Sequence, residues 1–159
     1  MDTAQIFCTL KDVKSFLGIY PSDMLPRSVT KLGTVINADP HTEKRSHWLA
    51  VHLRPKSSNA YYFDSYGIVP LVPAFQAFIK RNFITWDHNR RQLQSLTSNN
   101  CGKYCCLFVL YMDRGFTPKQ FVGLFDGASA DRQIDRAYAS ELGSLSRSSG
   151  RGQCSSSIL

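Results

Sequence analysis

The chain has 159 residues, of which 43% are hydrophobic and 12% aromatic. A chain of this length and composition can bury a substantial apolar core, which indicates one globular domain and excludes an intrinsically disordered protein. No apolar run approaches the roughly 20 residues that a membrane-spanning helix requires, so no membrane association is expected. The net charge of +7 fits either an ordinary basic surface or one that attracts nucleic acid, and no recognised binding motif separates the two.

The cysteines indicate a reducing compartment. Five are present, an odd number, and three of them stand close together at Cys101, Cys105 and Cys106. This pattern is a poor disulfide framework, and the N-terminal segment lacks the basic and apolar regions of a secretory signal peptide. We therefore expect an intracellular protein that is not secreted. No metal site is expected, because structural zinc requires two well-separated ligand pairs whereas two adjacent cysteines point to different faces of a helix.

The N-terminal half is predicted to contain one helix and a β-hairpin. Thr9 resembles a helix N-cap, and apolar residues then recur at helical spacing, which predicts a helix over residues 10–17. A short strand is predicted over residues 34–37. Two further strands, over 47–53 and 60–64, are separated by a short polar turn and should pair as an antiparallel hairpin.

The C-terminal half is predicted to be mainly helical. The predicted elements are helices over 73–83, 101–112 and 131–142, a helix that starts at Pro118, and a strand over 90–96. The polar segment 87–89 is interpreted as a break between elements. Serine, glycine and arginine dominate from Ser144 onward, so we predict a single domain over residues 1–143 and a disordered tail over residues 144–159.

A cysteine at the start of a helix is the first candidate functional group. A thiol attacks a carbonyl only as a thiolate, and both a helix N-terminus and a nearby imidazolium lower the pKa of a cysteine. Cys101 follows an asparagine-rich loop and begins a strongly predicted apolar helix. By itself, this pattern is more typical of a small buried residue at a turn.

Two residues of the predicted hairpin are the candidates for activating that thiol. His47 begins the first strand and Asp64 ends the second, and an antiparallel pair places these ends side by side. A carboxylate beside the imidazole would fix its tautomer and stabilise its charged form. His52 is a weaker candidate, because alternation along the strand places it on the opposite face from His47. The ordinary alternatives are a structural histidine and an aspartate that caps the turn.

A glutamine upstream of Cys101 is the candidate donor to the oxyanion that forms during acyl transfer. Each preorganised donor contributes roughly 3 kcal/mol. Gln94 and Gln92 are both suitably placed, and local reasoning leaves the choice between them open. The backbone N–H of Cys101 would be the second donor.

The order of these residues resembles the adenain family, the adenovirus-type cysteine endopeptidases, and their relatives the SUMO-type proteases. A His-Trp pair at 47–48 is followed by Phe-Asp-Ser-Tyr-Gly at 63–67, by a glutamine, and by Cys-Gly-Lys-Tyr-Cys-Cys-Leu-Phe at 101–108. Gln94 stands seven positions before the first of these cysteines, as in adenains. The likeness runs over about residues 5–125.

The resemblance implies an α+β fold of the papain-like kind, with helices packed on a central, mostly antiparallel sheet. It implies a cysteine endopeptidase in which Cys101 is the nucleophile, His47 its base, Asp64 the acidic partner and Gln94 the oxyanion donor. The acidic position is glutamate in adenovirus enzymes and aspartate in the SUMO-type group.

The resemblance also implies a substrate and a setting. The substrate is expected to be a viral precursor protein or polyprotein cleaved at small glycine-containing motifs, in the virion or the host nucleus. No cofactor is expected to be required, and a DNA or peptide activator is left unassigned. A disulfide-tethered peptide is not expected, because the segment between Asp64 and Gln94 lacks the cysteine that adenoviral enzymes carry there. The protein is expected to be a monomer.

Two other functions stay open. A protease that deconjugates SUMO or ubiquitin-like proteins shares the chemistry but would act on an isopeptide or a processed tail. An inactive domain that binds DNA through its basic surface belongs to a different class, and an unreactive Cys101 thiol would favour it.

Overall fold

The computed structural model describes residues 1–29, 33–37, 39–42, 47–54, 58–125 and 127–149, which form an α+β fold. The strands are β1 (Ile19–Tyr20), β2 (Thr34–Asn37), β3 (Trp48–Arg54), β4 (Asn59–Phe63) and β5 (Thr85–His88). The helices are α1 (Thr3–Leu10), α2 (Pro73–Asn82), α3 (Cys101–Asp113), α4 (Pro118–Gly123) and α5 (Ala130–Ser149). Within the described ranges, no helix is both long enough and apolar enough to cross a bilayer.

The strands form one sheet in the order β1-β2-β3-β4-β5. The central pairs, β2 with β3 and β3 with β4, are antiparallel, and Ala50 lies opposite Phe63 in the second of them. The predicted hairpin is therefore confirmed. The two edge strands, β1 and β5, pair in parallel with their neighbours, so the sheet is mixed at its edges.

Helices cover both faces of the sheet. On one face, α2 buries Phe75, Phe78 and Ile79 against side chains of β3 and β4. On the other face lies α3, which is buried along almost its whole length by the sheet and by α1, α4 and α5. Phe63 of β4 stacks on Phe108 of α3 with ring centroids 4.6 Å apart. Helix α3 is consequently fixed against the hairpin.

The first predicted helix is wrong in position, because a stronger cap lies upstream. Asp2 caps α1 by accepting a hydrogen bond from the Gln5 backbone, and the Gln5 side chain accepts from the Asp2 backbone. This reciprocal pair is a capping box. Thr9, the predicted cap, lies inside α1, where its hydroxyl contacts the Tyr138 hydroxyl at 2.8 Å. The apolar spacing of residues 10–17 therefore belongs partly to a turn region that follows the helix.

The segment around residues 87–96 also differs from its prediction. The expected break at 87–89 overlaps strand β5, and the strand expected over 90–96 is a loop. The reason lies in the hydrogen bonds of the loop: the backbone N–H groups of Leu93 and Gln94 both donate to the Ser65 carbonyl, at 2.8 and 3.0 Å. Two donors on one acceptor do not form a strand ladder. They hold the loop against the end of the hairpin instead.

Helix α5 is longer than predicted and runs through the expected domain boundary at residue 143 to Ser149. Two parallel hydrogen bonds of 2.6 Å from the Arg114 guanidinium to the Glu141 carboxylate tie it to the end of α3. The part of the predicted disordered tail that the structure describes is thus helical. Residues 150–159 of that tail lie outside the described residues, and the division into a domain and a tail stays a prediction.

Strand β3 carries a buried histidine that should make the fold sensitive to acid. His52 is 6% exposed, and burial and, to a lesser extent, the charge of Arg54 lower its pKa to about 4. The unfolded chain binds this proton near pH 6.5, whereas the folded chain does not bind it until about pH 4. Acidification through that window therefore favours unfolding.

We expect the free energy of unfolding to fall by up to about 3 kcal/mol between pH 6.5 and 4 through this group. In the His52→Leu variant this contribution should disappear, so the variant should lose less stability over the same window. Urea unfolding at a series of pH values measures the free energy of unfolding of the wild type and of the variant. Identical pH dependences for the two proteins would contradict the role given to His52.

Candidate active site

His47 and Asp64 meet where the two strands of the hairpin end. The His47 Nε2 and the Asp64 Oδ1 are 2.9 Å apart. His47 immediately precedes β3 and Asp64 immediately follows β4, so the antiparallel pairing of these strands brings the two residues together. The prediction that these two side chains lie next to each other is confirmed.

The Cys101 thiol lies beside the same imidazole. Burial lowers the pKa of His47, but hydrogen bonding to Asp64 and to Cys101 outweighs it and raises the pKa to about 9. Burial raises the pKa of Cys101, but hydrogen bonding to His47 and to the Trp48 and Gly102 backbone outweighs it, so the net shift is downward. The two groups therefore favour a thiolate and an imidazolium.

The His47 Nδ1 is the ring nitrogen left available for this partnership. It is buried, and Asp64 occupies the other ring nitrogen, Nε2; the contact of Nδ1 with the thiol is looser than an ordinary hydrogen bond. In proteins without bound substrate, catalytic hydrogen bonds are often long and tighten when substrate binds. The geometry thus assigns one ring nitrogen to the carboxylate and leaves the other for the thiol.

The start of α3 places Cys101 within the positive end of a helix dipole. Cys101 is the first residue of α3, with Asn100 as its N-cap, and it is 7% exposed. A helix N-terminus stabilises a thiolate. Close packing explains why glycine follows: a Cβ on Gly102 would lie 2.9 Å from the Met1 Cβ and 3.3 Å from the Trp48 ring.

Asp64 is held in place by the side chain of Asn89. The Asn89 Oδ1 accepts a hydrogen bond from the Asp64 backbone N–H at 3.0 Å, and its Nδ2 donates to the carbonyls of Asp64 and Arg91. The Asp64 Oδ1 also accepts from the Tyr66 backbone N–H at 2.8 Å, so a single oxygen receives donors from His47 and Tyr66. The carboxylate has little freedom to turn away from the imidazole.

Gln94 belongs to the same cluster, and Gln92 does not. Gln94 is 1% exposed. Its Oε1 accepts a hydrogen bond from the Ser65 hydroxyl at 2.7 Å. Its Nε2 donates to the Ser98 carbonyl at 2.6 Å and to the Tyr66 hydroxyl at 3.3 Å. Gln92 is exposed, and its amide donates to the Gln94 carbonyl at 2.8 Å. Of the two candidates left open by the sequence, Gln94 has the buried and oriented side chain.

The loop that precedes Cys101 is anchored by the first turn of α5. The Asp131 carboxylate accepts hydrogen bonds from the Ser95 backbone N–H at 3.0 Å and from the Ser98 hydroxyl at 2.8 Å. Burial raises the pKa of Asp131, but these hydrogen bonds outweigh it and lower the pKa overall. Because the Ser98 carbonyl holds the Gln94 amide, Asp131 also fixes Gln94 indirectly.

Sequence reasoning gave no role to four residues that support this arrangement: Ser65, Tyr66, Asn89 and Asp131. The first two lie in the string used for the resemblance, so their position was visible but not their contacts. The third was interpreted as part of a break in the chain. The hydrogen bonds of all four join segments distant in sequence, and no local spacing reveals such pairings.

The remaining cysteines differ in state. Cys105 and Cys106 are free and fully buried in α3, and burial raises the pKa of both thiols. Both belong to the hydrophobic core around α3. Cys8 is disulfide-bonded, which contradicts the expectation that the cysteines stay reduced. Among the described residues, no group of three or more His, Cys, Asp or Glu side chains is arranged to hold a metal ion, and the expectation that no cofactor is required stays a prediction.

The fold is that of the papain-like cysteine proteases. The family model for the adenovirus endoprotease matches residues 16–129, and the chain belongs to this family. The resemblance found in the sequence and the fold class it implied are both confirmed.

Three similar proteins illustrate the relationship. The chain is 26% identical over 117 residues to "Putative thiol protease R355" of Acanthamoeba polyphaga mimivirus, a match that covers 68% of this chain and 38% of that protein. The crystal structure of the ASFV pS273R protease superimposes with a TM-score of 0.52 at 18% identity, covering 67% of this chain and 42% of that one. ChlaDub1 from Chlamydia trachomatis gives 0.51 at 15% identity, covering 72% and 60%. The chain spans less than two thirds of each of these relatives, and the two solved structures show the fold alone.

Proposed function

We propose that this chain is a cysteine endopeptidase that cleaves precursor proteins of a virus or virus-like element at small glycine-containing motifs. In this proposal Cys101 is the nucleophile, His47 the base, Asp64 the residue that orients it, and Gln94 a donor to the oxyanion. The virion and the nucleus of an infected host are the proposed settings.

One observation carries the proposal. The Asp64 carboxylate, the His47 imidazole and the Cys101 thiol lie side by side where α3 begins. The carboxylate contacts one ring nitrogen of His47, and the thiol lies beside the ring. Each alone has an ordinary structural explanation. Together they shift the pKa values of His47 and Cys101 in the opposite directions that a thiolate–imidazolium pair requires.

The chemistry that these residues support is acyl transfer in two stages. The Cys101 Sγ forms a bond to the carbonyl carbon of the peptide, and the carbonyl electron pair moves to oxygen. When the C–N bond breaks, the His47 imidazolium gives its proton to the leaving amine, and a thioester on Cys101 remains. Water, deprotonated by the now neutral His47, hydrolyses that thioester and restores the free thiol.

The proposed substrate class rests on the protein family and on similar viral proteins. The family is that of the adenovirus endoprotease, and both the mimivirus relative and the ASFV protease are viral proteins. The preference for glycine comes from the resemblance to adenains. Activation by DNA or a peptide, and the monomeric state, stay predictions that no contact of a described residue supports.

Labelling by a substrate-like electrophile tests the proposal. We expect a Gly-Gly peptide carrying a vinyl sulfone to add once per chain, at Cys101, because Cys105 and Cys106 are buried thiols of raised pKa. The Cys101→Ala variant should remain unlabelled, and His47→Ala should react at least about 100-fold more slowly, since its thiol loses the imidazolium. Intact-mass analysis over time measures the adduct.

The nucleophile assignment would be wrong if Cys101→Ala acquired the same adduct. Hydrolysis of a glycine-containing precursor peptide is the second arm of the experiment, compared with release of a tail from SUMO or ubiquitin fusions. Faster cleavage of the fusions would favour a deconjugating protease. An unreactive wild-type thiol would favour the inactive DNA-binding domain.

A further inference from the structure

Tyr66 joins the two halves of the candidate active site. Its backbone N–H donates to the Asp64 carboxylate at 2.8 Å, and its ring packs on the His47 ring with centroids 4.9 Å apart. Its hydroxyl accepts a hydrogen bond from the Gln94 Nε2 at 3.3 Å. The half-buried Tyr66 side chain thus contacts both His47, the proposed base, and Gln94, the proposed donor to the oxyanion.

The hydrogen bonds of Gln94 leave Tyr66 as the terminal donor of this network. An amide nitrogen carries two hydrogens. Those of Gln94 are directed at the Ser98 carbonyl, at 2.6 Å, and at the Tyr66 hydroxyl. The Tyr66 hydroxyl accepts from Gln94 but donates to no residue in the described part of the chain. Its proton is therefore available to an incoming group, whereas Gln94 could donate to the oxyanion only by releasing the Ser98 carbonyl.

The Tyr66 hydroxyl also lies close enough to the nucleophile to respond to its charge. Burial raises the pKa of Tyr66, and the charges of Cys101 and Asp64 raise it further. The phenol is therefore protonated at neutral pH and can act as a donor. A donor that is itself polarised by a chain of hydrogen bonds, here from Ser65 through Gln94, is strengthened by them.

We propose that Tyr66 is a further catalytic residue, whose hydroxyl donates a hydrogen bond to the carbonyl oxygen of the scissile peptide bond. This inference rests on the proposed function. As the Cys101 Sγ–C bond forms and the carbonyl electron pair moves to oxygen, the Tyr66 O–H turns toward that oxygen. No proton is transferred, so Tyr66 stays a phenol throughout, and Gln94 holds its oxygen in place.

The Tyr66→Phe variant tests this directly. It keeps the ring on His47 and the backbone N–H on Asp64, and it removes only the donor. We expect kcat for a fluorogenic peptide amide ending in Gly-Gly to fall about 100-fold with KM changed by less than about threefold, since removing one oxyanion donor costs roughly that much in rate.

Alkylation by iodoacetamide supplies the second readout. This displacement at a saturated carbon forms no oxyanion, so Tyr66→Phe should react at the wild-type rate with the same pH profile. Tyr61→Phe is the matched control, because it removes the hydroxyl of another half-buried tyrosine, whose ring in β4 stacks on Phe108 of α3. It should leave both rates unchanged.

Two results would overturn the inference. Wild-type kcat in Tyr66→Phe would show that the hydroxyl donates nothing, and a proportional loss of hydrolysis and alkylation would show that it merely orients His47. A wild-type protein that is alkylated but hydrolyses no peptide would instead contradict the proposed function, and the inference with it.

Discussion

Replacing Asp64 with alanine is expected to lower kcat/KM about 100- to 10,000-fold, because the base His47 loses the group that orients it and stabilises its charged form. The variant removes the acceptor of the His47 Nε2 and of the Tyr66 backbone N–H. Without the carboxylate, burial dominates and the pKa of His47 falls from about 9. The His47 imidazolium then loses its proton at a lower pH, and the thiolate–imidazolium pair is lost with it.

The pH profile separates this explanation from a general loss of structure. Activity of the wild type should decline on the alkaline side as the pH rises through about 9, where the His47 imidazolium deprotonates. In Asp64→Ala that decline should begin at lower pH. Rates of peptide hydrolysis and of iodoacetamide alkylation, each measured from pH 5 to 10, report the shift.

Asp64→Asn is the matched control, since it keeps an oxygen for both donors and removes the charge. We expect its activity and its alkaline limb to lie between those of the wild type and the alanine variant. An alkaline limb that stays in place in both variants would mean that Asp64 does not set the pKa of His47.

Replacing Gly67 with alanine is expected to destabilise the fold by about 2–3 kcal/mol and to remove most of the activity. Gly67 has a φ of +72°, which disfavours any residue with a Cβ. That Cβ would also lie 2.8 Å from the Arg91 carbonyl carbon and 3.0 Å from the Gln92 nitrogen. These are backbone atoms, so the loop that carries Gln94 would have to move.

Gly123→Ala is the control for this substitution. Gly123 lies at the end of α4 without a left-handed backbone, and a Cβ there meets no atom within 4 Å. Alanine should be neutral or stabilising at that position, because it restricts the unfolded chain. Urea unfolding and peptide hydrolysis of both variants are the measurements. Equal stability of the two variants would refute the crowding at Gly67.

The sequence predicts those parts of the site that depend on local pattern and antiparallel geometry. The hairpin between β3 and β4 follows from two apolar segments and a short turn, and its ends bring His47 and Asp64 together. The position of Cys101 follows from an apolar helix after a polar loop. These are properties of neighbouring residues, which is why they can be recognised without coordinates.

The parts that could not be predicted depend on long-range pairing. Three of the four residues of β5 are exposed and the fourth is half-buried, so no alternation marks the strand, and it is a strand only because it pairs in parallel with β4. The loop at Leu93 and Gln94 satisfies its N–H groups on one carbonyl of a distant turn. The choice between Gln94 and Gln92 likewise depends on burial that no spacing along the chain encodes.

The attachment of Asp131 to the loop at Ser95 and Ser98 bears on where the catalytic unit ends. The family match stops at residue 129, one residue before α5 begins, and all five proposed catalytic residues precede that point. A chain cut there would retain every reacting group yet release the segment that delivers the nucleophile. The C-terminal helix is therefore part of the smallest piece of this protein that can be expected to work.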